Sequence, residues 1–221
     1  MEPKQAAALR ALEEVHEGML LGLGTGTTAA FFIEALGERV GEGLRITAVA
    51  TSQASAAQAA RYGIPLVDAV DRELDLTVDG ADEIDPGLNL IKGRGGALLR
   101  EKVVAAASKR MMVIATDDKL VPHLGQGPLA AEILPLLWQH TAESVRALDV
   151  EPALRRADEA IAVSDNGNYL LDCRFQPPRD LEELAAGLER IPGVLGHGLF
   201  LGIATEAAVA GPAGVRLLRP A

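Results

Sequence analysis

The chain has 221 residues, of which 48% are hydrophobic but only 3% aromatic, so a large core must be built mainly from Ala, Leu, Val and Ile. The formal net charge of -10 opposes a nucleic-acid partner. The single cysteine, Cys173, excludes an intramolecular disulfide. No apolar run reaches the roughly 18 residues needed to span a bilayer, and the charged start of the chain lacks an apolar signal core, so a cytoplasmic protein without a membrane partner is expected.

Residues 4–15 carry helical spacing, with Ala8, Leu9, Leu12 and Val15 on one face. A buried strand over 19–23 then ends in glycines, and a helix is predicted over 28–36. The pair repeats as a strand over 45–50 and an Ala-rich helix over 52–62, stopped by Gly63 and Pro65. A strand over 74–78, a helix over 98–109 and a strand over 111–115 continue the alternation. Such alternation argues for an α/β fold with a parallel, Rossmann-like sheet covered on both faces. After Gly125-Gln126-Gly127-Pro128, a plausible hinge, the pattern changes. A strand (130–134), a helix (142–148), a hairpin-like pair (160–163 and 169–175) turning at Asp165-Asn166-Gly167, a helix (180–190) and a strand (194–199) follow. The order β-α-β-β-α-β is the ferredoxin-like arrangement of a smaller α+β domain. The expected division is 1–127 for the Rossmann-like domain and 128–199 for the smaller one; the tail around Gly211-Pro212 could return to the first, which would make 1–127 plus 200–221 the catalytic domain.

Three loops follow predicted strands, where ligands sit in parallel sheets. Gly22-Leu23-Gly24-Thr25-Gly26-Thr27-Thr28-Ala29 combines tight glycine turns with hydroxyls and a helix N-terminus, which suits an anion such as phosphate. It lacks the Gly-Lys-Ser/Thr ending of a nucleotide P-loop. It meets the looser dinucleotide pattern, but Ala50-Thr51-Ser52 stands where a ribose-binding acid would be required, which weakens a nicotinamide-dependent reading. Asp79-Gly80-Ala81-Asp82-Glu83-Ile84-Asp85 crowds carboxylates that repel one another unless solvent, a cation or a hydroxyl-rich ligand compensates. A magnesium site and a solvated acidic turn are the competing readings of that motif. Lys92-Gly93-Arg94-Gly95-Gly96-Ala97 leads into a helix that carries Glu101 near its start. Lys92 could stabilise an oxyanion while Glu101 moves a proton, although a helix acid at that place is also ordinary electrostatics. Thr116-Asp117-Asp118-Lys119 follows another strand and could bring Lys119 to the same crevice.

Taken together, the Gly-x-Gly-Thr-Gly-Thr-Thr-Ala, Asp-Gly-Ala-Asp-Glu-Ile and Lys-Gly-x-Gly-Gly-Ala motifs, with Arg100-Glu101-Lys102 close behind, resemble type A ribose-5-phosphate isomerase. The resemblance extends through Thr51-Ser52 and Ser164-Asp165-Asn166-Gly167-Asn168 to Ile191-Pro192-Gly193-Val194. It implies an aldose–ketose isomerase acting on ribose 5-phosphate and ribulose 5-phosphate through an enediolate, in the non-oxidative pentose phosphate pathway. Glu101 would be the base, assisted by Lys92, Asp79 and Asp82. Thr25, Gly26, Thr27, Thr28, Gly80, Ala81, Gly93, Arg94, Gly95, Lys119 and Lys4 would bind substrate. Family members commonly have glycine where this chain has Arg94, which either points to solvent or adds a charge at the pocket mouth. The resemblance further implies no metal or organic cofactor, and a homodimer or homotetramer. A non-catalytic sugar-phosphate sensor and a related CoA-transferase or amino-sugar isomerase are the rival readings. The sensor lacks a DNA-binding segment in the sequence.

Overall fold

The computed structural model describes residues 1–220. Helix α1 (Pro3–Leu12) precedes strand β1 (Leu20–Leu23), helix α2 (Thr27–Gly41), β2 (Thr47–Ala50), α3 (Gln53–Arg61) and β3 (Leu76–Asp79). Two short strands, β4 (Glu83–Ile84) and β5 (Leu90–Ile91), lead to α4 (Leu98–Ala106), β6 (Met111–Thr116) and a 3-10 turn at Asp117–Lys119. The chain continues through β7 (Leu129–Ile133), α5 (Trp138–Arg146), β8 (Glu151–Leu154), β9 (Arg156–Ala157), β10 (Ala160–Ile161) and β11 (Tyr169–Arg174). Helix α6 (Leu181–Glu189), β12 (Val194–His197), β13 (Leu199–Phe200), β14 (Glu206–Gly211) and β15 (Gly214–Leu218) complete it.

The main sheet has the order β15-β14-β6-β3-β1-β2, parallel except for the antiparallel edge pair β14–β15. Its central strand β6 reads Met-Met-Val-Ile-Ala-Thr without polar alternation because both faces are covered. Met112 and Ile114 pack with α1 and α2 residues such as Ala8, Phe32 and Leu36, while Met111, Val113 and Ala115 pack on the other face with Ile84, Leu90 and Phe200. Helix α2 extends past the expected residue 36 because Gly37 is a close-approach position. A β-carbon there would lie 2.3 Å from that of Tyr62.

A second, antiparallel sheet has the order β12-β7-β11-β8, with α5 and α6 packed on the core side of Ile133, Leu171 and Cys173. The β-α-β-β-α-β order is present, but the expected hairpin is not. Strand β11 pairs with β7 and β8, while β10 pairs with β9, and Val163 meets Tyr169 only as an isolated bridge. The turn at 164–168 still closes, with Gly167 N donating to the Ser164 carbonyl at 2.9 Å and Ser164 N to that of Asn168 at 2.9 Å. Strand β8 escaped the sequence pattern because it is a half-exposed edge containing Pro152, a residue confined to such edges. Helix α5 starts earlier than expected, at Trp138, behind Leu137 in a left-handed conformation. The expected strand over 194–199 divides at Gly198 between two sheets. Gly198 N donates to the Ala130 carbonyl at 2.8 Å and its carbonyl accepts from Lys92 N at 2.9 Å, stitching the lysine loop to the second sheet. No helix among the described residues is long and apolar enough to cross a membrane.

Candidate active site

The carboxyl ends of β1 and β3 carry the glycine loop and the acidic motif side by side. Gly24 lies so close to Asp79 that a β-carbon there would stand 2.1 Å from Oδ1, which is why glycine is required. Gly26, at φ +115°, opens α2 without any side-chain cap, leaving first-turn N–H groups free to face an anion. Thr25 is anchored from behind. Its hydroxyl lies 2.8 Å from Thr51 Oγ1 and donates to Ser52 Oγ at 2.8 Å, and Ser52 Oγ in turn accepts the N–H of Ser55 as the N-cap of α3.

Each acid of the crowded motif has its own partners, which resolves the repulsion. Asp79 Oδ1 accepts N–H groups from Thr25 (3.0 Å) and Gly80 (2.7 Å). Asp82 accepts the N–H of Arg94 at 2.9 Å. Glu83 accepts those of Gly125 (2.7 Å), Gln126 (3.2 Å) and Gly127 (2.5 Å), so it ties β4 to the glycine segment before β7. Asp85 accepts N–H groups from Gly87 and Asn89. Among the described residues no group of three or more His, Cys, Asp or Glu is arranged to hold a metal ion.

Lys92 crosses from β5 to meet two carboxyls. Its Nζ stands 3.1 Å from Asp79 Oδ2 and 3.3 Å from Glu101 Oε2 and donates to the Gly80 carbonyl at 2.5 Å. The three residues are 3%, 0% and 4% exposed, respectively. The ring of Phe200 lies beneath the ammonium, 5.6 Å from Nζ to its centroid. Burial disfavours the Lys92 charge, yet the facing carboxyls of Asp79 and Glu101 hold its ammonium above the usual lysine range. Burial raises Asp79, against the pull of Lys92. Burial, followed by repulsion from Asp79, pushes the Glu101 carboxyl up to about 8 despite Lys92. A carboxyl tuned this close to neutrality can both take and return a proton.

Lys92 and Glu101 border a cavity of about 310 Å³ lined by all three sequence-predicted loops and by the segment that carries Lys119. Glu101, Lys92, Asp82, Thr25, Gly26, Thr27, Thr28, Gly80, Ala81, Gly93, Arg94, Gly95, Lys119 and Lys4 all border it. Asp79 is the exception among the expected site residues: it lies wholly buried behind Lys92. Lys4 Nζ donates to Thr27 Oγ1 at 2.9 Å at the start of α2, and Lys119, which also lines the cavity, pairs with Asp118 at 3.0 Å. Arg94 borders the mouth with its guanidinium turned toward Asp82 (3.9 Å) and Glu83 (3.7 Å), and its side chain is 47% exposed. Thr116 and Asp118, which were not singled out from sequence, also line the cavity. Their signal was position alone, in the loop after β6 that was already noted for Lys119.

A buried carboxyl held near neutrality, a buried ammonium and an anion-receptive helix end around one small cavity are the parts of an α/β enzyme for proton transfer on a small anionic substrate. Comparisons with known proteins narrow the class. Residues 47–214 match the family described as ribose 5-phosphate isomerase A (phosphoriboisomerase A), and the chain belongs to that family. Proteins named ribose-5-phosphate isomerase A from Bradyrhizobium diazoefficiens and Gloeobacter violaceus are 50% and 49% identical to it, over 97% and 98% of this chain and 94% and 96% of theirs. The solved ribose 5-phosphate isomerase of Plasmodium falciparum superposes with a TM-score of 0.95 at 34% identity, covering 98% of this chain and 97% of that one. A D-ribose-5-phosphate isomerase solved in complex with phospho-erythronic acid superposes with a TM-score of 0.93 at 37% identity, covering 98% and 97%.

Proposed function

We propose that this enzyme interconverts D-ribose 5-phosphate and D-ribulose 5-phosphate in the non-oxidative pentose phosphate pathway, with Glu101 as the base. The observation that carries the reading is the buried Asp79–Lys92–Glu101 set at 3.1 and 3.3 Å, one face of which opens into the cavity. The substrate phosphate would sit at the start of α2, among Thr27, Thr28, Lys4 and Lys119. The open-chain sugar would then extend toward Glu101. The carboxylate removes the C2 proton of the aldose, an enediolate forms, and the same carboxyl delivers the proton to C1. Lys92 offsets the charge that develops on the oxygens. Asp82 borders the cavity and would exchange protons with the sugar hydroxyls. Asp79, outside the cavity lining, holds Lys92 and the Thr25 loop in place and adds to the burial that keeps Glu101 weakly acidic.

Residues 1–127 with 200–221 form the catalytic unit in this reading, and 128–199 the smaller domain. The family likeness supports a cytoplasmic homodimer or homotetramer, and Leu136 and Leu137, exposed before α5, offer apolar surface for such assembly. A coupled assay tests the function. Ribulose 5-phosphate forms from ribose 5-phosphate at the same rate with and without EDTA. Failure to form ketose sinks the reading, and a chelator-sensitive rate restored by a divalent ion would return the acidic motif to a metal role.

A further inference from the structure

Among the described residues, the segment 128–199 contributes no side chain to the cavity lining. Its polar groups nevertheless end on residues immediately beside those that build the site. Asp165 Oδ2 accepts the backbone N–H of Gln53 at 2.7 Å, next to Ser52, whose hydroxyl anchors Thr25. Asn166 Oδ1 accepts from Arg100 Nε at 2.7 Å, one residue before Glu101. Arg155 Nη1 donates to the carbonyls of Gly93 (2.8 Å) and Arg94 (3.2 Å), just after Lys92, while its Nε holds Asp172 at 3.1 Å. The three contacts reach three different walls: the glycine-loop side, the base-bearing helix and the lysine loop.

The turn that makes two of these contacts has a rigid footing. Glu132, fully buried in β7, accepts on one oxygen the hydroxyl of Ser164 (2.8 Å) and the amides of Asn166 (2.9 Å) and Asn168 (2.8 Å). Asn166 therefore uses its side chain twice, donating inward to Glu132 and accepting outward from Arg100. The amide supplies both roles, its NH2 donating and its oxygen accepting. The backbone bonds that close the turn need neither Asp165 nor Asn166 side chains. Folding of the second sheet therefore does not explain why their polar atoms reach across to α3 and α4.

We propose that Asp165, Asn166 and Arg155 are positioning residues through which the second sheet holds the walls of the active site at their working separation. Asp165 and Asn166 brace the N-terminus of α3 and the start of α4 against one another. Arg155 fixes the lysine loop between them. The inference rests on Glu101 being the base, because its effect on rate comes from the placement of that carboxyl. Misplacement by a fraction of an ångström costs turnover more than binding, since the transition state is the more exacting complex.

The test uses the full-length enzyme and the exposed turn. Asp165→Ala and Asn166→Ala are each expected to lower kcat about tenfold while KM stays within about twofold. Asp165→Asn, whose amide oxygen still accepts from Gln53, is expected to restore kcat to within about twofold of the parent. Amide hydrogen exchange across 94–101, read without turnover, is expected to quicken about tenfold in both alanine variants. An active parent whose alanine variants keep both kcat and exchange overturns the inference and leaves the isomerase reading standing. A kcat loss with unchanged exchange overturns it as well. A parent that makes no ketose, but whose variants show the quickened exchange, sustains the bracing role and defeats the reading of Glu101 instead.

Discussion

Of the glutamates buried in this molecule, Glu101 and Glu132 have surroundings that could hardly differ more. Glu101 faces an ammonium and a second carboxyl and opens onto a cavity. Glu132 faces three neutral donors, all on one oxygen, and borders no part of that cavity. Burial by itself does not make a carboxyl a base. Neutral amides and a hydroxyl occupy one oxygen of Glu132 and lock a turn around it, while its other oxygen is buried without a hydrogen-bond partner. Burial, reinforced by the like charge of Asp79 behind the lysine, keeps Glu101 reluctant to ionise, and the cavity gives its proton somewhere to go. In the proposed mechanism one carboxyl is a fastening and the other a reagent.

The contrast can be broken most sharply at Glu101. Glu101→Gln is expected to cut kcat by about 10²–10⁴-fold while ribose 5-phosphate still binds within a few-fold of the parent affinity, as measured by calorimetry. Near-parental turnover would remove Glu101 from the role of base. Lys92→Met is expected to lower kcat by about 10²-fold through lost stabilisation of the enediolate. A change confined to KM would show that Lys92 binds substrate and transition state equally.

Acidity sharpens the comparison further. Because Glu101 must be ionised to act, kcat/KM should climb as pH rises toward about 8, the value to which burial pushes this carboxyl. The stability linkage has the corresponding sign. A carboxyl raised from its ordinary 4.5 to about 8 holds its proton more tightly folded than unfolded. Its stabilising contribution is therefore complete below about 4.5 and is lost as pH rises through about 8. Glu101→Gln should accordingly gain thermal stability relative to the parent at pH 9 compared with pH 5, a difference read from paired melting curves. The smallest effect is expected at the other glutamate. Glu132→Ala should cost roughly 1–3 kcal/mol in urea unfolding by leaving its three donors without an acceptor, with a far smaller loss of kcat than either change above.

Much of this was legible in the chain because the chemistry sits on backbone-dictated features. The strand-then-glycine sequence at Leu23-Gly24 and the strand-then-acid sequence at Val78-Asp79 mark carboxyl ends of parallel strands, and those ends do adjoin. The continuous apolar run of β6 revealed a strand covered on both sides. The two-residue strands β4, β5 and β13 were not legible, since a period of two cannot be seen in two residues. Strand β8 hid behind its proline and its exposure. The burial of Asp79 was also hidden. A motif shows that a carboxyl stands at a strand end, but whether it reaches the sugar or backs the lysine depends on the side chain that crosses from β5. The division of labour within the acidic motif depends on partners far along the chain, such as the N–H groups of the glycine segment before β7 that claim Glu83.

The placement of β14 has a consequence for biogenesis. This strand slots between β6 and β15, parallel to the former, although nearly a hundred residues separate them in sequence. In a chain emerging from the ribosome, the strands of the four-stranded sheet clear the surface before residues 206–211 do, and the flank of β6 stays bare until those residues follow. The β6 flank is thus covered last, and an interruption of translation near residue 200 would release a chain with an unprotected, aggregation-prone strand edge.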